Sequence, residues 1–360
     1  MFPAMSRAVR TLLPAALLAI VTIGASADPL PRFPPGAVWN QDVSAPNLKH
    51  PLSDEMIAWL QSQGGWGTGA TAFQIDFSMA VLHADDSTPT IANIGYPYDD
   101  YYSPDCDDPG TVPFPLPSGG AIEGSADYSC ANDSDDCHLL VVDGSTLYES
   151  YHSNVVTGGL QTQCALRWDL TRVYPANGRG EQCTSADAAG YPVAPLLFNA
   201  DEVYAAIQSG TDIGHAIRFI LPNSSMKAGE YVHPATHAGG PQSPDAYAIP
   251  YGSRFRLKST FDVDGFSSNG AVRVLLRTLQ KYGMFLSDGG NVPLTAEVDT
   301  YTTHKWDDAA LSIDSHSLYG IQASDFEVVV ADAPVTLTYD CVRNPDGPPP
   351  DEIFRDGFEP

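Results

Sequence analysis

The chain has 360 residues, with 44 Asp and Glu against 18 Lys and Arg and a formal charge of -26 at neutral pH. So few cations exclude nucleic acid, whose phosphates need clustered Lys and Arg, and disfavour an anionic membrane surface. The same charge allows a neutral polymer, a cation such as calcium or a cationic partner, and by itself also serves solubility outside a cell.

The first segment reads as a secretory leader. Arg7 and Arg10 precede an apolar run over 12–23, and Ala25-Ser26-Ala27 offers the small residues that signal peptidase cuts. Residues 1–27 are therefore expected to be a cleaved signal peptide, since the run is short for a membrane span and no later run approaches that length. A single β-rich globular domain is expected over 28–343, followed by a Pro-rich linker and acidic tail over 344–360. The six cysteines, Cys106, Cys130, Cys137, Cys164, Cys183 and Cys341, suggest three disulfides in an exported chain. Proximity along the chain favours Cys130–Cys137 and Cys164–Cys183, leaving Cys106–Cys341. No Cys/His spacing matches a zinc site.

After a Pro-rich start, 53–60 reads as a helix capped by Ser53 and stopped at Gly64-Gly65. Alternation over 71–82 (Phe73, Ile75, Phe77, Met79, Val81) predicts one half-buried strand. The Pro-, Tyr- and Asp-rich stretch 96–117 is expected to be a surface loop. Residues 138–143 and 146–151 form a hairpin pattern around Gly144-Ser145. Strands follow at 165–170, 215–221, 254–258, 284–286, 326–330 and 335–339, and helices at 200–210 and 271–282. With no regular β-α-β alternation and no fixed repeat, the pattern predicts a mainly β fold, a β-sandwich or jelly roll with a few peripheral helices and long loops.

Several strings in order, His138-Leu-Leu-Val-Val-Asp143 with Leu147-Tyr-Glu149, Thr184-Ser-Ala-Asp-Ala-Ala-Gly190-Tyr-Pro192, Asp201-Glu-Val203, His215-Ala-Ile-Arg-Phe219, Arg256-Leu-Lys258 and Tyr282-Gly-Met284 through Asp288-Gly289, carry a likeness over residues 136–330. The set resembles an uncharacterised family of secreted bacterial β-sandwich proteins, also found in actinobacteria. The resemblance implies an extracellular β-sandwich and no particular reaction. That family has Trp before Thr-Ser-Ala-Asp where this chain has Cys183, a departure that points to a local staple with Cys164. The ending Ile353-Phe-Arg-Asp-Gly-Phe-Glu359 resembles an IFxDGFE-like tail of exported gammaproteobacterial proteins, which implies recognition by export or surface machinery.

Signatures of serine hydrolases, zincins, P-loops and dinucleotide folds are absent. Glycoside hydrolysis needs one protonated and one ionised carboxyl across a cleft. Glu149, between Tyr148 and Tyr151, reads as the acid, because burial raises a carboxyl pKa. Asp187, in a small-residue loop, reads as its partner, and Glu202 and His215 complete the catalytic candidates. Structural uses compete: Asp201 and Glu202 begin a helix, and Asp187 suits an Asx turn. Trp168, Arg218, Tyr231, His233 and His237 are candidates for substrate binding, and a His/Tyr/Arg group also suits proton abstraction beside a uronate carboxylate. The acidic stretch 127–136 with Asp105, Asp107 and Asp108 has the oxygens for calcium but not the EF-hand spacing, and a solvated loop is the plainer reading. No metal ligand is assigned, and calcium is the one cofactor left open. Segments 138–151, 184–202 and 215–237 are expected to line one concave face. The leading expectation is a secreted carbohydrate-active enzyme hydrolysing an extracellular polysaccharide, with no nucleic-acid partner and no membrane after leader cleavage. A polysaccharide lyase and a non-catalytic glycan-binding or surface module stay open.

Overall fold

The computed structural model describes residues 29–67, 72–97, 101–132 and 135–344. The expected signal peptide and the acidic tail beyond Asn344 lie outside the described residues. In chain order, the strands that position the site are β1 (Ile75–Met79), β2 (Val81–Ala84), β3 (Leu139–Asp143), β4 (Thr146–Tyr151), β5 (Cys164–Asp169), β6 (Ile217–Leu221), β7 (Arg254–Leu257), β8 (Met284–Gly289), β9 (Leu294–Glu297) and β10 (Phe326–Val328). The helices are α1 (Ser53–Ser62), α2 (Ala200–Ser209) and α3 (Gly270–Lys281).

The single strand expected over 71–82 is two strands in two sheets. At Ala80 the chain leaves a six-stranded sheet, ordered β1-β9-β6-β8-β7-β10, and enters a four-stranded one, ordered β2-β3-β4-β5. Met79, Ala80, Val81 and Leu82 are all buried, so the strict alternation of a half-buried strand ends where the chain crosses. In the small sheet β2 runs parallel to β3, and β3, β4 and β5 form an antiparallel meander in which Asp143 faces Thr146 across the turn. Both faces of β3 are covered, which explains its unbroken apolar run. Leu140 and Val142 pack with Leu147, Leu166 and Trp168, while Leu139 and Val141 pack with Phe114, Tyr148 and Leu160.

The large sheet mixes parallel and antiparallel pairs; β6 and β8 are parallel neighbours, and α3 links β7 to its antiparallel neighbour β8. The α3 stripe Val272, Leu275, Leu276 and Leu279 is buried as its spacing predicts, and Asn269 caps the helix by accepting from the Ala271 and Val272 amides. Gly283 then turns the chain at φ +67, where a Cβ would collide with the Phe255 carbonyl of β7. Asn199 caps α2 and Gly210 ends it in the left-handed region. Ser53 is not the cap of α1. It is the first helical residue, and its Oγ accepts the Val328 amide at 2.9 Å, tying α1 to β10.

Among the described residues the fold is mostly β with few helices, and no sheet is closed. The helices are less peripheral than expected, because α2 and α3 contribute to the same core as Trp66, Phe219, Phe255 and Phe326. The stretch 96–117 is largely irregular, but Pro113–Pro115 pairs with Thr90–Ala92. Among the described residues no helix is long and apolar enough to cross a membrane.

Three disulfides close the fold: Cys106–Cys164, Cys130–Cys137 and Cys183–Cys341. Of the expected pairs only Cys130–Cys137 occurs. Cys164–Cys183 and Cys106–Cys341 fail because loop 101–108 is laid along β5 by bonds from the Tyr102 amide to the Gln163 carbonyl and from the Asp107 amide to the Ala165 carbonyl. That brings Cys106 to Cys164 with a Cα separation of 5.4 Å. Cys183 instead holds the C-terminal segment. The separations of 158, 58 and 7 residues order the three bridges. Replacing both cysteines of each pair by serine should cost about 5, 4 and 2 kcal/mol respectively, from loop-closure entropy, read as the loss of guanidinium unfolding free energy. Equal losses for the three would contradict this ordering.

Candidate active site

Loop 184–190 is held from several sides. Ser185 Oγ donates to the Tyr191 carbonyl at 2.6 Å and accepts the Asp187 amide at 3.0 Å. The Ala189 amide donates to the Ser287 carbonyl of β8 at 2.8 Å, and the Ala189 carbonyl accepts from the Thr236 amide at 2.9 Å. Gly190 sits at φ +79, and a Cβ there would strike Thr236 Oγ1 and the Cys183 carbonyl, so only glycine lets the loop lie this close. The result is an Asp187 side chain with no solvent exposure.

Arg218 on β6 meets that side chain. Its Nη2 donates to Asp187 Oδ1 at 2.7 Å, its Nη1 to Thr295 Oγ1 at 3.1 Å, and the same Nη2 lies 3.9 Å from Asp288 Oδ2. One guanidinium therefore faces two carboxyls. Burial raises the pKa of both. The direct ion pair keeps the negative charge on Asp187, while burial and then the Asp187 charge push Asp288 up to about 7. Asp288 ends β8 and is the more exposed of the two, with 29% of its side chain accessible.

A second pair stands beside this one. His138 Nδ1 lies 2.6 Å from Glu123 Oε2 and its Nε2 lies 2.8 Å from the Ala186 carbonyl. Burial opposes both charges, yet their attraction holds Glu123 at about 2 and raises His138 to about 9. The imidazolium can then donate in both directions, joining the start of β3 to loop 184–190.

These elements wall a cavity of about 590 Å³ lined by Asp105, Asp136, Tyr151, His237, Asp288 and Tyr339, among others. Burial, and then the charge of nearby Asp136, raise the pKa of the Tyr151 hydroxyl. Asp105 accepts the Thr184 amide at 3.3 Å, and burial raises its carboxyl. His237 Nδ1 lies 2.9 Å from the Ala188 carbonyl, and burial lowers its pKa. All three stretches expected to share a face contribute: Tyr151 from the first, residues 184–188 from the second and His237 from the third. Asp187 and Arg218 lie one layer behind the surface.

The remaining candidates lie elsewhere. Glu149 has no exposed surface; its Oε1 accepts the Val193 and Ala194 amides at 2.8 and 2.9 Å, and its Oε2 accepts Trp168 Nε1 at 2.9 Å. Burial does push it up to about 7, but with both oxygens taken and no solvent access it anchors the turn after loop 184–190 rather than meeting a substrate. Trp168 is likewise buried, and the Arg179 guanidinium packs over its ring at 5.7 Å from the centroid, so it offers no sugar platform. Glu202 and His215 do meet, at 3.1 Å, but with Arg32 and beside a different cavity of about 690 Å³ under the N-terminal segment. Burial opposes the Glu202 charge, yet Arg32 and His215 hold it at about 2, so it has no proton to give. Tyr231 and His233 both bond to Glu181, on a short ribbon formed with Val342–Arg343.

Among the described residues the calcium candidates form no cluster of three ligands by themselves. Asp107 is taken by Arg167, Arg179 and Arg343. Among the described residues the one grouping with metal-ligand proximity is Asp105, Cys183 and Cys341, and its two sulfurs form a disulfide, so they offer no thiolate. Sequence reasoning missed Asp288 and the Glu123–His138 pair. The position of Asp288 at the end of a central strand in an open sheet was the available signal, because crevices form beyond such ends.

The charge balance fixes a stability profile. Asp288 and Glu149, near 7, and Glu297, near 8, favour folding when neutral, so their contribution is full below about pH 4 and lost as pH rises through 7 to 8. His138, raised to about 9, loses its contribution over the same alkaline range. Glu123 and Glu202, held near 2, contribute above about pH 4.5 and fail as pH falls toward 2. The thermal midpoint should therefore peak at about pH 4.5–6 and fall toward pH 9; a flat midpoint from pH 5 to 9 would contradict this. Arg218→Met should destabilise the protein by about 3–5 kcal/mol in denaturant titration, by leaving Asp187 buried without its cation. Comparison of the chain with protein-family models, curated proteins and solved structures found no match.

Proposed function

We propose that the protein is a secreted hydrolase of an extracellular polysaccharide, with the cavity around Asp288 as its active site. The observation that carries this reading is a carboxyl pushed up to about 7 and still partly accessible in the wall of a cavity that also holds Asp136 and Asp105. A carboxyl with that pKa keeps much of its proton at neutral pH and can deliver it to a leaving oxygen. Asp288 is the general acid, and Asp136, on the same cavity wall as Tyr151, is the second carboxylate that activates water or attacks the sugar. Arg218 is a positioning residue: it holds the charge on Asp187, and that charge keeps the proton on Asp288. Tyr102 and Tyr151, whose rings stack with centroids 6.2 Å apart, offer apolar faces to sugar rings. The three disulfides fit an oxidising compartment outside the cytosol.

A lyase is less well supported. It would need a cation free to neutralise a uronate carboxylate, and Arg218 is buried and committed to Asp187 and Thr295.

The test is turnover on a polysaccharide panel, followed by reducing-end release and by unsaturated-product absorbance. Asp288→Asn should lower kcat by about 100- to 10,000-fold with little change in glycan binding, and the fall of kcat/KM above about pH 7 should vanish. Full activity in that variant would remove Asp288 from the mechanism. Retained glycan binding with no product from wild type would favour the non-catalytic module.

A further inference from the structure

The cavity has a charge character that narrows what can enter it. Asp105, Asp136 and Asp288 line it, and no Lys or Arg does so among the described residues. The guanidiniums nearest to it are turned away or neutralised. Arg218 pairs with Asp187, while Arg179 and Arg343 bond to the Asp105 main-chain carbonyl and the Asp107 carboxylate. His237, the one lining base, is held toward its neutral form by burial and faces Asp105. The positive imidazolium of His138 is matched by Glu123.

Asp105 stands out within this set. It is partly buried, it accepts one amide from Thr184, and no salt bridge reaches its side chain among the described residues, with His237 and Arg179 acting on it only through space. A partly desolvated carboxylate of this kind gains most from a ligand cation, because the ion pair forms where water screens it least. Tyr101, Tyr102 and Tyr151 on the same walls add ring faces that attract an ammonium group as well as the apolar face of a pyranose.

We propose that the cavity selects an amine-bearing glycan, a polymer of hexosamine units with free ammonium groups, and that Asp105 is the residue that reads the amine. The assignment rests on the hydrolase reading above and adds its substrate class. A uronate polymer meets only like charge here, and an N-acetylated sugar leaves the Asp105 carboxylate without a cation. Asp288 keeps its role as acid because the ammonium is held at Asp105, on the side of the cavity formed by Thr184 and His237.

Calorimetric titration separates this assignment from catalysis. Asp288→Asn protein, which binds without turnover, is titrated with a glucosamine oligomer, its fully N-acetylated counterpart and an oligouronate of equal length, at low and physiological salt. The glucosamine oligomer should bind at least about tenfold tighter than the N-acetylated one, and the oligouronate should not bind. Adding Asp105→Asn should reduce that preference to within about twofold, while adding Asp264→Asn, an exposed acid of the chain outside the cavity, should leave it intact. Equal affinity for the two amino sugars, tighter binding of the uronate, or a preference unchanged by Asp105→Asn would overturn the assignment. The outcomes also divide the two readings. Amine preference without product from any glycan retains the ligand class and removes the hydrolase, whereas equal turnover of neutral and amine-bearing glycans retains the hydrolase and removes the ligand class.

Discussion

Arg218 is one guanidinium serving two carboxyls in a region from which water is largely excluded. Two carboxylates beside one cation leave a surplus negative charge, and burying that surplus costs more than binding a proton. The bond at 2.7 Å decides which group stays ionised, and the group at 3.9 Å takes the proton. An otherwise ordinary aspartate thereby becomes an acid near neutral pH, and it is the one with access to a cavity. The candidate chemistry depends on this asymmetry, and the rest of the local structure serves to hold it.

The holding is done by backbone more than by side chains. Loop 184–190 lies against β8 through the Ala189 amide and against residue 236 through the Ala189 carbonyl, and His138 reaches its Ala186 carbonyl from the small sheet. The chain crosses between the sheets at Ala80, two residues after Ser78, whose Oγ donates to Glu123 at 3.2 Å, so the two sheets are joined beside the charged network. The Cys183–Cys341 bridge begins one residue before the loop and brings Tyr339 to the cavity wall. A rigid frame of this kind is what a shared proton requires, since its position follows distances that differ by about one ångström.

Much of the frame was legible in the sequence, and the reasons differ by element. The hairpin at 138–151 and helices α2 and α3 carry strong periodicity and clear stops, so local rules sufficed. The small-residue string around Asp187 read as a loop, and that loop became the floor of the site. Glu149 was read correctly as buried and shifted, but burial alone does not say whether a group faces a cavity or is sealed by three donors. Glu202 and His215 were read as reactive, and the partner that neutralises them, Arg32, is 170 residues away from Glu202, beyond any local rule. Disulfide pairing by proximity failed for the same reason: loop 101–108 finds β5 through backbone bonds that leave no mark in composition. Asp288 was missed because its raised pKa comes from burial and then from the Asp187 charge, which only the tertiary fold brings to it.

The shared proton can be observed directly by carbon-13 NMR titration of the Asp187 and Asp288 side-chain carboxyls, assigned by single asparagine replacements. Asp288 should titrate near pH 7, and Asp187 should lose its proton first as pH rises. If both carboxyls instead titrate below pH 5, the guanidinium satisfies both, no proton is held at the cavity wall, and the proposed acid does not exist.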